Sequence, residues 1–205
     1  MKTLSPHVAI VILAAGESRR MGEPKQLLSW KKTTLIEHVV KNVLEVNVND
    51  VAVVLGAHYN EINKQLKDYP VKIINNNLWN SGLGHSISKA VLYFMSKKSK
   101  IEALMIILAD QPFVTSAYLM KMIDSFTPNN KQILATQYND GKLGVPVLFD
   151  NFYFTELSEL SKDEGAHLII KKNKNFVDIL KASFVNMDID SKEDYHKAKA
   201  QNFSK

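Results

Sequence analysis

The chain is 205 residues long, 45% hydrophobic and 23% charged, with 8 Gly, 6 Pro and no Cys. This globular composition excludes disorder, disulfides, thiolate metal sites and a cysteine nucleophile. Lys and Arg outnumber Asp and Glu by 26 to 21, a net charge of +5, yet the lysine runs carry no interleaved aromatics, which argues against a nucleic-acid groove.

Residues 8–13, VAIVIL, form a continuous β-branched run of the kind that builds a strand buried on both faces. Residues 14–24 follow as a long loop rich in Gly and polar residues. Thr34 caps a helix, with Glu37 closing the box, and Leu35, Ile36, Val39, Val40, Val43 and Leu44 recur at helical spacing. A second strand over 51–55, a short helix over 59–67 and a third strand near 71–74 come next. A helix beginning near Gly84 carries Ile87, Ala90, Val91 and Phe94 inward. Residues 104–108 make another buried strand that ends in Ala109, Asp110, Gln111 and Pro112. Thr115 opens a helix with Tyr118, Leu119, Met122, Ile123 and Phe126 on one face, before a strand over 133–136. From Gly141 the pattern loosens: a strand containing Gly and Pro, helices near 152–158 and 165–172, an apolar strand over 184–189, and a terminal helix capped by Ser191 with Asp194.

Alternating strands and helices predict a three-layer α/β domain with a mostly parallel sheet and right-handed crossovers. Ligands of such sheets bind beyond the carboxyl ends of the strands, where loops 14–25, 75–86 and 110–112 gather. With no internal repeat or linker, residues 1–205 read as a single domain. The apolar runs 8–15 and 103–109 are too short to span a bilayer, and no basic stretch leads into a signal-type segment, so a cytoplasmic location without a membrane is expected.

The only two arginines, Arg19 and Arg20, stand side by side in one glycine-bounded segment. Guanidinium groups fork onto phosphate oxygens. Leu13, Ala14, Ala15 and Gly16, directly after a buried strand, let backbone N–H groups approach an anion, and Arg20 and Lys25 add positive charge. The spacing is neither a P-loop nor a dinucleotide fingerprint. Gly82-Leu83-Gly84 has Ile87 where the last Gly of such a fingerprint belongs, and reads as a simple turn. Asp110, at a strand exit, suits a hard cation or a turn cap before Pro112. Asp188 and Asp190 flank Ile189 and, by period two, point to the same side; one of them serves as a second metal contact or caps the helix nearby. Ser86 starts a helix with a hydroxyl able to reach a nucleotide, and Trp79 fits either the core or the wall of a base pocket. The six His residues show no metal-ligand spacing. Lys97, Lys98 and Lys100, Lys171, Lys172 and Lys174, and Lys197 and Lys199 read as solvated surface.

The segment LAAGESRRMGEPKQLL at 13–28 resembles the signature of the MobA-like nucleotidyltransferases, and within them the molybdenum cofactor cytidylyltransferases. VVLGAH at 53–58, NLWNSG at 77–82 leading to Ser86, LADQP at 108–112, GVP at 144–146, DEGA at 163–166 and DIDSKED at 188–194 extend the likeness over nearly the whole chain. The resemblance implies a Rossmann-like fold and transfer of a nucleotidyl group from a nucleoside triphosphate to a phosphorylated acceptor, with Mg²⁺ and release of pyrophosphate. It implies Arg20, Lys25 and Asp110 as catalytic residues, and Leu13, Ala14, Ala15, Gly16, Arg20, Lys25, Gly82 and Ser86 against the nucleotide. The metal then falls to Asp110 with Asp188 or Asp190. Cytidylyl-transferring members carry LAAG where guanylyl-transferring members carry LAGG, so Leu13-Ala14-Ala15-Gly16 points to CTP, with a molybdopterin-type acceptor and a molybdenum hydroxylase as partner. The alternatives are a sugar-phosphate or methylerythritol-phosphate nucleotidyltransferase, and a non-catalytic molybdenum cofactor chaperone. Two departures stand out: Gly165-Ala166-His167 replaces the usual GAR, and Ser191-Lys192-Glu193-Asp194 the usual TPED. Arg19 falls at a variable position.

Overall fold

A computed structural model describes residues 6–97 and 100–203; Lys98 of the first lysine run lies outside them. The elements in chain order are β1 (Val8–Ala14), β2 (Ser29–Trp30), β3 (Thr33–Thr34), α1 (Leu35–Leu44), β4 (Asp50–Leu55), α2 (Tyr59–Leu66), β5 (Lys72–Asn75) and α3 (Leu83–Met95). Then come β6 (Ala103–Leu108), α4 (Ser116–Asp124), β7 (Ile133–Gln137), β8 (Leu143–Asp150), α5 (Phe154–Ser158), α6 (Ala166–Lys172), β9 (Val177–Lys181) and α7 (Lys192–Phe203).

A seven-stranded sheet of order β5-β4-β1-β6-β8-β7-β9 forms the middle layer. Its ladders are parallel except those that β8 makes with β6 and β7. β1 is buried along its whole length because helices cover both faces. Ile10, Ile12 and Ala14 point into a cluster with α1, α2 and α4. Ala9, Val11 and Leu13 point into the opposite cluster with α3, α5 and α6. Each fully buried Ile, Val or Leu side chain contributes about 1.5–3 kcal/mol, which fixes this strand at the centre. The capping box at Thr34 and Glu37 forms as expected. So does the Thr115 cap, whose Oγ1 accepts from the Tyr118 amide, and Ser191 and Asp194 bond each other at the start of α7. No helix among the described residues is long and apolar enough to cross a membrane.

Several expectations are corrected. The strand expected over 184–189 does not form, and the last strand is β9, paired in full register with β7. The apolar residues of 184–189 serve two separate clusters: Phe184 stacks edge-on against Tyr118 at 4.9 Å, while Ile189 inserts beside Met21, Trp30 and Leu35. The Ile189 amide donates to the Asp110 carbonyl instead of to a ladder. The helix expected over 152–158 begins as a 3₁₀ turn, Asn151–Tyr153, before α5. Lys97 is not solvated surface, because it pairs with the buried carboxylate of Asp50, which also binds His7.

Candidate active site

From β1 the chain moves outward through β4 to β5, then returns to the other side of β1 as β6. This reversal opens a crevice beyond the carboxyl ends of β1 and β6, the place where open α/β sheets bind ligands. A cleft of about 570 Å³ lies there. Leu13, Ala14, Ala15 and Gly16 line it from β1, Trp79, Gly82 and Ser86 from the α3 side, and Asp110 and Lys25 from the opposite wall.

The loop after β1 is held from within. Met21 is buried in the small cluster around Trp30 and Leu35, and its amide donates to the Ser18 carbonyl. Gln26, 1% exposed, donates from Nε2 to the carbonyls of Ala14 at 3.1 Å and Gly16 at 3.0 Å. Its Oε1 accepts from the Ser18 hydroxyl. Carbonyl and amide of a trans peptide point opposite ways, so the Ala15 and Glu17 amides turn away from Gln26. Among the described residues neither donates to a backbone or side-chain acceptor. Gln26 was missed by sequence reasoning; its signal was a lone amide within the otherwise apolar end of the signature.

Lys25, with a side chain 14% exposed, reaches Asp110 Oδ2 at 2.6 Å and Asp190 Oδ1 at 2.8 Å. Burial pulls its pKa down, but the charges and hydrogen bonds of Asp110 and Asp190 outweigh it and hold the ammonium above the ordinary Lys value. Burial pushes the Asp110 carboxyl up; Lys25 recovers only part, and the Asp188 and Asp190 carboxylates push it further. Asp190, less enclosed, is held below the ordinary Asp value because Lys25, and then Arg20, outweigh its burial. Asp110 Oδ1 is buried without a hydrogen-bond partner among the described residues.

Arg20 is placed differently from Lys25. Its side chain is 72% exposed and grips Asp190 Oδ2 at 2.7 Å, outside the cleft lining. Asp188 and Asp190 flank Ile189 in a segment that forms no strand, both carboxylates act on Asp110, and each has its own partner: Asp188 Oδ1 accepts from Gln111 Nε2 at 2.9 Å. Arg19 pairs at the surface with Glu17.

On the other wall, Asn76 is fully buried and donates to Ser86 Oγ at 3.0 Å, fixing that hydroxyl at the cleft. Gly82-Leu83-Gly84 is more than a simple turn. A Cβ at Gly82, where φ is +106°, would meet the Lys162 backbone at 2.2 Å, and one at Gly84 would meet Ser161 O at 2.6 Å. The Gly84 amide donates to the Lys162 carbonyl, bringing Asp163, which sequence reasoning left unassigned, to the cleft wall. Trp79 lines the cleft half-buried, whereas His167 lines a separate groove.

The sequence matches the MobA-like NTP transferase domain over residues 10–176. Nicotine blue oxidoreductase of Paenarthrobacter nicotinovorans is 26% identical over 200 residues, covering 94% of this chain and 96% of its own length. The crystal structure of the Mycobacterium tuberculosis Rv0371c homolog from Mycobacterium sp. strain JC1 is similar with TM-score 0.84 and 25% identity, over 98% of this chain and 99% of that one. A nucleotidyl transferase from Methanothermobacter thermautotroptrophicus has the same fold, with TM-score 0.81 and 21% identity over 96% and 98% of the two chains. The matched stretch runs from within β1 to the residue before β9 and includes the loop, Lys25 and the Asp110 turn; the chain belongs to the MobA-like NTP transferase family.

Proposed function

We propose that this chain transfers CMP from CTP to the phosphate of a molybdopterin-type acceptor and releases pyrophosphate. The observation that carries the reading is Lys25 held between Asp110 and Asp190 at the wall of a cleft whose other side is a loop with outward amides. A Cβ at Gly16 would meet no protein atom within 4 Å, so the loop leaves open space where a triphosphate fits. In the reaction an acceptor phosphate oxygen attacks the α-phosphorus, the bond from that phosphorus to the bridging oxygen breaks, and the electron pair leaves with pyrophosphate. No protein nucleophile is required; the residues supply position and charge. Lys25 remains an ammonium at neutral pH because its carboxylate partners hold it protonated, and it offsets charge on the phosphates.

The orphaned Asp110 Oδ1 is a hard oxygen donor suited to Mg²⁺; Asp190, whose two oxygens are held by Lys25 and Arg20, and Asp188 are the further candidates, although no group of three metal-ligating side chains forms among the described residues. Such an ion, when bound, neutralises phosphate charge during transfer. Rv0371c of M. tuberculosis, which shares the fold, is known in complex with manganese, so Mn²⁺ belongs in the test as well.

The preference for CTP is supported by the likeness of Leu13-Ala14-Ala15-Gly16 to cytidylyl-transferring members; Ala15, 6% exposed, lines the cleft at the strand exit, where its methyl would crowd a two-ring base. The test is pyrophosphate release from CTP, GTP and ATP with Mg²⁺ or Mn²⁺ and molybdopterin as acceptor. CTP is expected to turn over fastest; absence of pyrophosphate with every nucleotide would overturn the reading. Oxidation of NADH or NADPH in the same preparation would point instead to redox chemistry like that named for the P. nicotinovorans relative.

A further inference from the structure

Away from the cleft, the sheet ends in β9, which among the described residues pairs with β7 alone. The Ala182 amide donates to the Gln137 carbonyl. Residues of a parallel ladder alternate in direction, so Leu180 and Asp178 also face β7. The N–H and C=O groups of Val177, Ile179 and Lys181 therefore face outward. On the sheet face beside this edge, a groove of about 480 Å³ runs between α6 and β9. Leu143, Ile170, Val177 and Ile179 form its floor, and His167, Lys171 and Lys174 its rim. Ile179 is 49% exposed, and Phe176 and Leu168 are exposed nearby. Among the described residues no carboxylate lines the groove. Lys171 and Lys174 have no ion-pair partner among the described residues, whereas Lys172 is engaged by Glu156.

Natural sheets shield open edges by charge, prolines or covering loops. Here the edge faces an apolar trough whose charges have one sign. We propose that this groove and the open side of β9 dock an extended, acidic segment of a partner protein. The segment adds as a strand to β9, sets alternate apolar side chains into the trough and lays its carboxylates against Lys171 and Lys174. Strand addition takes affinity from main-chain hydrogen bonds and specificity from pockets for every second side chain. A second copy of this chain suits the groove less well, because edge-to-edge pairing of β9 with itself brings two lysine rims together. The outward amides favour a peptide over nucleic acid, which offers no backbone to continue a ladder.

The test uses the full chain against a display library of short peptides, counter-selected on Ile179→Pro. Proline removes one outward N–H but none of the bonds to β7, and edge strands tolerate it. Selected peptides are expected to alternate apolar residues with Asp or Glu, and to bind Lys171→Glu/Lys174→Glu at least about tenfold more weakly. They should also slow hydrogen exchange at the Ile179 amide. Enrichment of basic peptides, or affinity unchanged by both variants, would overturn the proposal. Tighter binding of an oligothymidylate than of any peptide, or a dimer in sedimentation that buries the Ile179 amide, would likewise overturn it, in favour of nucleic acid or a second copy. The outcome is independent of nucleotide turnover, which Ile179→Pro is expected to leave unchanged.

Discussion

Lys25 and Asp110, 85 residues apart in sequence, meet with Nζ 2.6 Å from Oδ2 at the carboxyl ends of β1 and β6. Asp110→Asn keeps the shape and removes the charge. Pyrophosphate release is expected to fall on the order of 10²–10³-fold, as when one preorganised charged group is lost from such a site, while the circular dichroism spectrum stays that of the folded chain. Lys25→Ala should lose more activity than Arg20→Ala, since Arg20 touches the site only through Asp190, and Arg19→Ala should be near neutral. Near wild-type turnover in Asp110→Asn would remove Asp110 from the chemistry.

Gln26→Leu leaves the Ala14 and Gly16 carbonyls without their donor. Gly16 is exposed and Ala14 buried, so one buried acceptor is left unsatisfied at about 1–3 kcal/mol, and the melting temperature should drop by roughly 2–4 °C for each kcal/mol. Because the loop that offers the Ala15 and Glu17 amides loses its internal brace, the KM for nucleotide should rise by a larger factor than kcat falls. A lower melting temperature with unchanged nucleotide KM would make Gln26 a purely structural residue.

Asp50 tests pH dependence away from the cleft. It is nearly buried; burial acts to raise its pKa, but the Lys97 and His7 hydrogen bonds outweigh this and hold it below the ordinary value of 3.8. A carboxylate with a depressed folded-state pKa contributes stability above its unfolded value and loses it as pH falls through the folded one. Asp50→Asn should therefore be less stable than wild type at neutral pH, by about 1.5–3 kcal/mol for a bond to charged partners. Denaturant titrations from pH 7 downward should show that deficit narrowing below 3.8. A deficit constant with pH would mean that shape, and not charge, matters at this position.

Ala15→Gly tests the base preference. One methyl group is worth about 1–3 kcal/mol of discrimination, so kcat/KM should shift toward GTP relative to CTP without complete reversal. Equal ratios in wild type and variant would sink the CTP assignment and leave nucleotidyl transfer standing.

Local order was legible in the sequence. The VAIVIL run, the capping box at Thr34 and Glu37 and the caps at Thr115 and Ser191 act within a few residues, so propensity and hydrogen-bonding chemistry determine them without reference to the rest of the chain. The signature loop and the Asp110 turn were legible for the same reason, each being a contiguous segment following a buried strand. What only the tertiary structure decided depends on partners distant in sequence. β9 was missed because an edge strand half open to solvent lacks a buried apolar run, and the apolar stretch 184–189 was misread because its side chains fill two clusters contributed by other elements. The Lys25 bridge, the grip of Arg20 on Asp190 and the burial of Gln26 arise where β1, β6 and the segment before α7 converge. Charge and burial there follow from neighbours 85 and 165 residues away, which no local pattern encodes.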